Sequence, residues 1–215
     1  MDEPLPTSPP ADADAFARFA GSCAIVAGIS GFLYTAFFAA FARGRAGAAK
    51  PSAFLLMATG LLAVPVAVGV YERLRHTDAG FALLGLAFGL LGAAGSFVHG
   101  GYDLAVLLKP GDGAPIAASQ VDPRGLLTFG ASALALFVYA RLILVGGLLP
   151  AALARVAVLL GVLLVVVYLG RLILLDPNRL VVKATALLSG LVVAPLWYLW
   201  LGVSLRGDRS NAAEG

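Results

Sequence analysis

The chain has 215 residues, of which 60% are apolar and only 13% are charged, and its mean hydropathy is +0.92. A soluble domain has about a quarter of its residues charged, so this composition excludes a soluble enzyme. The net charge of +3 comes from Lys and Arg scattered between apolar segments, and the lack of a basic face excludes a nucleic-acid-binding protein. Cys23 is the one cysteine and lies inside an apolar run. Because a disulfide needs two cysteines, one chain cannot build a disulfide framework.

Residues 1–18 are predicted to form a disordered polar tail. The segment contains Pro4, Pro6, Pro9 and Pro10 together with four acidic residues, and proline disfavours a regular helix. A secretory signal begins with basic residues, so this acidic start predicts that no signal peptide is cleaved.

Six long apolar segments follow, each close to or above the roughly 20 residues that cross a bilayer core. The sequence therefore predicts an all-α fold, a polytopic integral membrane bundle with one six-helix domain over 19–205 and a polar tail over 206–215. The predicted transmembrane helices are 19–41, 53–71, 80–108, 126–145, 151–175 and 182–205.

Small and aromatic residues indicate how two of these helices are placed. Gly85, Gly89 and Gly92 form a small-residue stripe on the third helix, and such stripes let helices approach closely in lipid. An aromatic group near the end of the sixth helix is predicted to anchor it at the membrane interface. Its members are Trp197, Tyr198 and Trp200.

Six helices place both termini on one side of the membrane, termed side A, whereas side B holds the connectors after helices one, three and five. Basic residues divide almost evenly between the sides, with a slight excess toward side B once Arg141, Arg155 and Arg171 inside the apolar segments are excluded. The positive-inside rule then favours a cytoplasmic side B. The Ala- and Gly-rich composition is typical of a bacterial protein, which predicts the cytoplasmic (inner) membrane of a bacterium.

The third helix ends with the main candidate site residues. His99 and Asp103 are four residues apart, so they share one helix face, and Tyr102 lies beside them. Ionisable groups at membrane depth tend to mark a site or a cavity. The competing interpretation is that these residues only mark the end of a long helix as it leaves the membrane.

More charged residues are predicted at the same level on side B. Arg171 lies near the end of the fifth helix, Asp122 and Arg124 precede the fourth, and Asp176 follows the fifth. One interpretation is a structural clasp, in which acids and arginines neutralise each other. The other is a polar pocket for a small molecule or a lipid headgroup that opens on side B, and the two are compatible.

Cofactor and metal chemistry is not indicated. His76 and His99 are the two histidines, and they fall on opposite sides of the bundle, so one chain cannot hold a haem between them. A catalytic zinc ordinarily needs three protein ligands; His99 and Asp103 with Asp122 or Asp176 would be the candidates, but a set with a single histidine is a weak indication of zinc. No phosphate-binding loop or dinucleotide fingerprint occurs.

Several motifs occur in a recognisable order along the chain. They are VHGGYDL at 98–104, DPRGLLTF at 122–129, GLLP at 147–150, YLGRLILLDP at 168–177 and PLWYLWLG at 195–202. In this order, the chain from about Cys23 to Arg206 resembles the bacterial six-helix membrane proteins catalogued as domain of unknown function number 4386. The resemblance implies a six-helix fold and carries no established activity.

The leading functional hypothesis is a non-enzymatic membrane protein that binds or moves a small molecule or lipid through the side B site. Asp103 and Arg171 would form its charged centre. One alternative is an intramembrane enzyme that uses His99 and Asp103 as an acid–base pair, and another is a structural or accessory subunit. The expected partners are membrane lipids and a small-molecule or lipid ligand, with no nucleic acid and no cofactor, and the sequence leaves a homo-oligomer open.

Overall fold

The computed structural model describes residues 11–109, 123–174 and 179–207, and every regular element within these ranges is helical. The α-helices are α1 (Ala11–Ala42), α2 (Ala49–Leu74), α3 (Ala79–Leu108), α4 (Pro123–Gly146), α5 (Ala151–Leu169), α6 (Leu180–Leu188) and α7 (Ala194–Arg206). A short 3₁₀ turn, Ala46–Ala48, precedes α2, and two π-helical turns, Gly170–Leu174 and Ser189–Val193, follow α5 and α6.

Six of the described helical segments are long and apolar enough to cross a membrane, because the π turn joins α6 and α7 into one span, Leu180–Arg206. The predicted all-α membrane bundle is therefore confirmed. Large apolar side chains cover the outer surface, where lipid tails would surround them. Leu83, Leu134, Leu159 and Val192, for example, are each about half exposed.

The spans form a closed antiparallel ring in which each packs against the next and the last packs against the first. The closing contact joins α1 to the sixth span. A Cβ built on Gly21 would lie 2.6 Å from the carbonyl oxygen of Gly202, and Gly28 faces Tyr198 in the same antiparallel register. Glycines at this crossing therefore allow the two backbones to touch.

The glycine stripe of α3 packs against both neighbouring helices. Tyr139 of α4 covers Gly85 and Gly89, and its hydroxyl donates a buried hydrogen bond to the carbonyl of Gly85 at 2.8 Å. On the opposite side, a Cβ built on Gly89 would lie 3.2 Å from the Cβ of Ala67 of α2. The stripe thus brings three consecutive helices together.

The ends of two helices differ from the prediction. The first helix begins at Ala11, inside the segment predicted as a tail. Pro10 is the last proline of that segment, and the residues that follow it are rich in alanine, the strongest helix former. The second helix begins at Ala49 and includes Pro51 in its first turn. Proline is tolerated there because the backbone N–H groups of the first turn have no partner within the helix, so the missing N–H of proline costs no hydrogen bond.

Arg141 and Arg155 lie near the side A ends of α4 and α5, and both are exposed. The guanidinium carbon of Arg141 is 4.5 Å from the centre of the Phe81 ring, a favourable cation–π distance. These arginines thus reach the surface of the bundle and do not line its interior.

Candidate functional site

The ring of helices forms a partly open cavity of about 540 Å³, and all six spans contribute to its wall. Its wall includes residues from Ala27 to Ala42 on α1, Arg43 directly after that helix, and residues from Leu56 to Val70 on α2. At the helical rise, the α1 stretch is roughly 24 Å long. The cavity is therefore elongated along the bundle axis. One end lies at side B, and the other lies within the half of the bundle nearer side A.

Most of the cavity wall is apolar or made of small residues, and hydroxyl groups interrupt it at several depths. These hydroxyls belong to Thr35, Thr59, Ser96, Thr128, Ser132 and Ser189. Thr35 donates to the carbonyl of Gly31 at 3.0 Å and Thr59 to that of Leu55 at 2.7 Å. Hydroxyls paired within their own helices add little polarity to the wall.

The side B end of the cavity is cationic. Arg43 directly after α1, Arg171 from the π turn after α5 and Lys183 from α6 all line it, and the lining residues among the described parts of the chain include no Asp or Glu. Three cations at one end of an apolar cavity produce a positive potential, and no acidic residue of the described wall offsets it.

Arg171 is the most enclosed of these cations. Its guanidinium carbon lies 5.7 Å from the centre of the Phe129 ring. Its Nε is buried and has no hydrogen-bond partner within the described ranges. π-helical turns occur frequently at functional sites, and this one supplies a buried donor to the cavity wall.

Trp197 lies near the other end of the cavity, and its position differs from the predicted one at the membrane interface. Its side chain is only 4% exposed and lines the cavity, so it is wrong to describe Trp197 as an interfacial anchor. Trp197, Leu201 and Leu205 recur every four residues on one buried face of α7. Because the span continues to Arg206, Trp197 also lies roughly 14 Å inside the helix end. Its buried indole Nε1 has no hydrogen-bond partner in the described structure.

The predicted pair on α3 is present but lies outside the cavity lining. His99 Nε2 is 3.2 Å from Asp103 Oδ2, and both side chains are mostly buried. The ring of His99 packs against Gly125 in the first turns of α4. Tyr102 is 43% exposed. The pair therefore lies at the side B end of the bundle, between α3 and α4.

Tyr34 of α1 connects the pair to the cavity. It lines the cavity wall, and its hydroxyl interacts electrostatically with both Arg171 and Asp103. Asp103 and Arg171 thus act on one common side chain at side B, although only Arg171 is part of the wall.

Asp122 and Asp176, two of the predicted site residues, lie outside the described residues. Arg124 is the second residue of α4, and its side chain also lies outside the described part of the chain. Within the described ranges, no group of three His, Cys, Asp or Glu residues is arranged to hold a metal ion.

Sequence reasoning missed several residues of the cavity, namely Tyr34, Arg43, Lys183 and Trp197. Tyr34 carried a usable signal, because a hydroxyl in the middle of an apolar span tends to face the bundle interior. Arg43 follows the end of the first span, and Lys183 lies in the first turn of the sixth. The two residues reach the same end of the cavity only because α1 packs against the sixth span.

Comparison with known protein families, with curated proteins and with solved structures gives no match to this chain. The resemblance to the family catalogued as domain of unknown function number 4386 therefore stays a prediction, and the function is argued from the cavity alone.

Proposed function

We propose that this protein binds a small molecule or lipid in the cavity of the six-helix ring, and holds or moves it with its polar end at side B. The observation that carries the proposal is a partly open cavity of about 540 Å³ with a mostly apolar wall and a cationic end. Sites for small molecules are concave, mostly apolar and roughly 300–1,000 Å³ in volume, with a few polar groups that fix orientation.

A packing defect is a poor explanation for a cavity of this size. Protein interiors are packed as tightly as organic crystals and contain few voids larger than a water molecule. Here large side chains such as Tyr34, Tyr139 and Trp197 surround the space without filling it. A molecule bound in this space would therefore stabilise the ring of helices.

The two alternative functions depend on other residues. An intramembrane enzyme would use His99 and Asp103, but this pair lies outside the cavity lining, so a substrate would need a second route to reach it. A structural or accessory role is supported by the same pair as a contact between α3 and α4. The cavity favours ligand binding over both.

The proposal also includes the cellular setting. The protein would be a multi-pass protein of a bacterial cytoplasmic membrane, surrounded by membrane lipids. One chain is sufficient to form the cavity, and a homo-oligomer stays a prediction.

Native mass spectrometry of the purified protein tests this function. We expect the protein released from detergent micelles to carry one additional mass per chain, which tandem fragmentation identifies as a small molecule or a lipid. Protein first washed free of that mass should take up one equivalent of an added long-chain alcohol, carboxylate or phosphate. A purified chain that carries no additional mass and takes up none of these probes would contradict the proposal.

A further inference from the structure

The two ends of the cavity differ in a way that specifies the ligand. We infer that the ligand is a single-chain anionic amphiphile, whose carboxylate or phosphate head binds Arg171 at side B and whose chain extends inward to Trp197. This inference rests on the proposed function and names the ligand class for the same cavity.

The charge of the described wall favours an anion over a neutral or cationic ligand. A guanidinium at membrane depth is costly unless an opposite charge or hydrogen-bond acceptors surround it. Arg171 lines the wall together with Arg43 and Lys183, no acidic residue lines the described part of it, and Asp103 lies outside it with its carboxylate against His99. A bound anion would supply the missing negative charge.

The geometry of Arg171 suits a carboxylate or a phosphate. Guanidinium groups bind both oxyanions through several N–H donors, and such charge-assisted hydrogen bonds are about twice as strong as neutral ones. The buried Nε of Arg171 lacks a partner among the residues described. An oxyanion that enters the cavity from side B would accept from this donor.

The length and wall of the cavity suit one hydrocarbon chain. Lys183 and Trp197 both line it and are 14 residues apart on the sixth span, which corresponds to roughly 21 Å of helix. Over this length the wall is mostly apolar, which suits an extended hydrocarbon chain that reaches from one end of the cavity to the other.

Trp197 also provides a direct measurement of chain insertion. The protein has two tryptophans, so Trp200→Phe leaves Trp197 as the only one. In this background, a long-chain carboxylate brominated near its methyl end should quench the fluorescence of Trp197 on contact. An alkyl phosphate and an alcohol with the same brominated chain complete the comparison, and the first two distinguish the two possible oxyanions.

We expect saturable quenching by the carboxylate or the phosphate, with an apparent Kd about tenfold or more below that of the alcohol, as one charge-assisted hydrogen bond would produce. Arg171→Gln should abolish this preference, and Arg171→Lys should retain part of it. Arg155→Gln is the matched control, because Arg155 is an exposed arginine of α5 outside the cavity lining, and it should retain the preference in full.

The possible failures are distinguishable. If the alcohol binds as tightly as both anions in the Trp200→Phe protein, or if Arg155→Gln and Arg171→Gln weaken anion binding equally, the inference is wrong and the proposed function stands. If none of the three probes quenches Trp197 saturably, the cavity does not bind a chain, and the proposed function is contradicted as well. The comparison of probes needs no Arg171 variant, so a misfolded variant does not weaken the test.

Discussion

Gly100→Ala is expected to destabilise the protein by about 3 kcal/mol, the upper end of the usual cost of overpacking. A Cβ at this position would overlap the backbone nitrogen of Met57 and lie 2.7 Å from the carbonyl oxygen of Ala53. Both obstacles are backbone atoms of α2, so no rotamer change relieves them. The two helices would have to separate along their shared surface, and the contacts of the side B half would be lost.

The adjacent glycine provides a matched control. A Cβ on Gly101 would meet only the sulfur of Met57, at an ordinary contact distance of 3.7 Å. Gly101→Ala should therefore leave the free energy of unfolding unchanged or raise it by up to about 1 kcal/mol, the helix-forming advantage of alanine over glycine. Unfolding of both variants by denaturing detergent in mixed micelles measures the difference. Equal stabilities for the two variants would contradict the close contact between α2 and α3.

Ala63→Trp is expected to reduce retention of the bound molecule at least about tenfold, a loss of about 1.4 kcal/mol in binding free energy or more. Ala63 lines the cavity near the middle of α2 and is only partly buried. An indole at this position can therefore extend into the cavity and occupy part of its volume. Filling an apolar cavity commonly raises stability by about 0.5–2 kcal/mol. Binding should therefore fall while the free energy of unfolding stays constant or increases, a combination that general misfolding cannot produce.

Val64→Trp is the control for this substitution. Val64 follows Ala63 on the same helix, is 40% exposed and does not line the cavity. Its indole would lie on the outer surface, so the bound mass measured by native mass spectrometry should match that of the unmodified protein. Equal retention by Ala63→Trp and Val64→Trp would show that the molecule binds outside the ring.

Hydropathy alone was sufficient to predict the six spans, because a bilayer requires long uncharged helices whatever their neighbours are. The start of α1 was less predictable, since Ala11–Arg18 carries acidic residues yet still has strong helix formers. The π turns at Gly170–Leu174 and Ser189–Val193 had no sequence signal. They shift the helical phase near Arg171 and Ser189, which a regular 3.6-residue period cannot anticipate.

The depth of the candidate site residues in the membrane was predictable, but the neighbours that their side chains face were not. Arg171, His99 and Asp103 all lie in the side B half, as their positions along the spans indicate. Helical spacing shows which residues of one helix share a face, but not which neighbour that face meets. The cavity depends on the closure of the ring, and for that reason Arg171 lines it, His99 and Asp103 do not, and Trp197 turns inward.

Ligand binding inside the ring can be seen directly in a density map of the protein in lipid nanodiscs. We expect one elongated density inside the ring, with its head within hydrogen-bond distance of Arg171 and its far end beside Trp197. A map in which side chains of the protein fill this space, or in which bound molecules lie only on the outer surface of the six spans, would contradict ligand binding inside the ring.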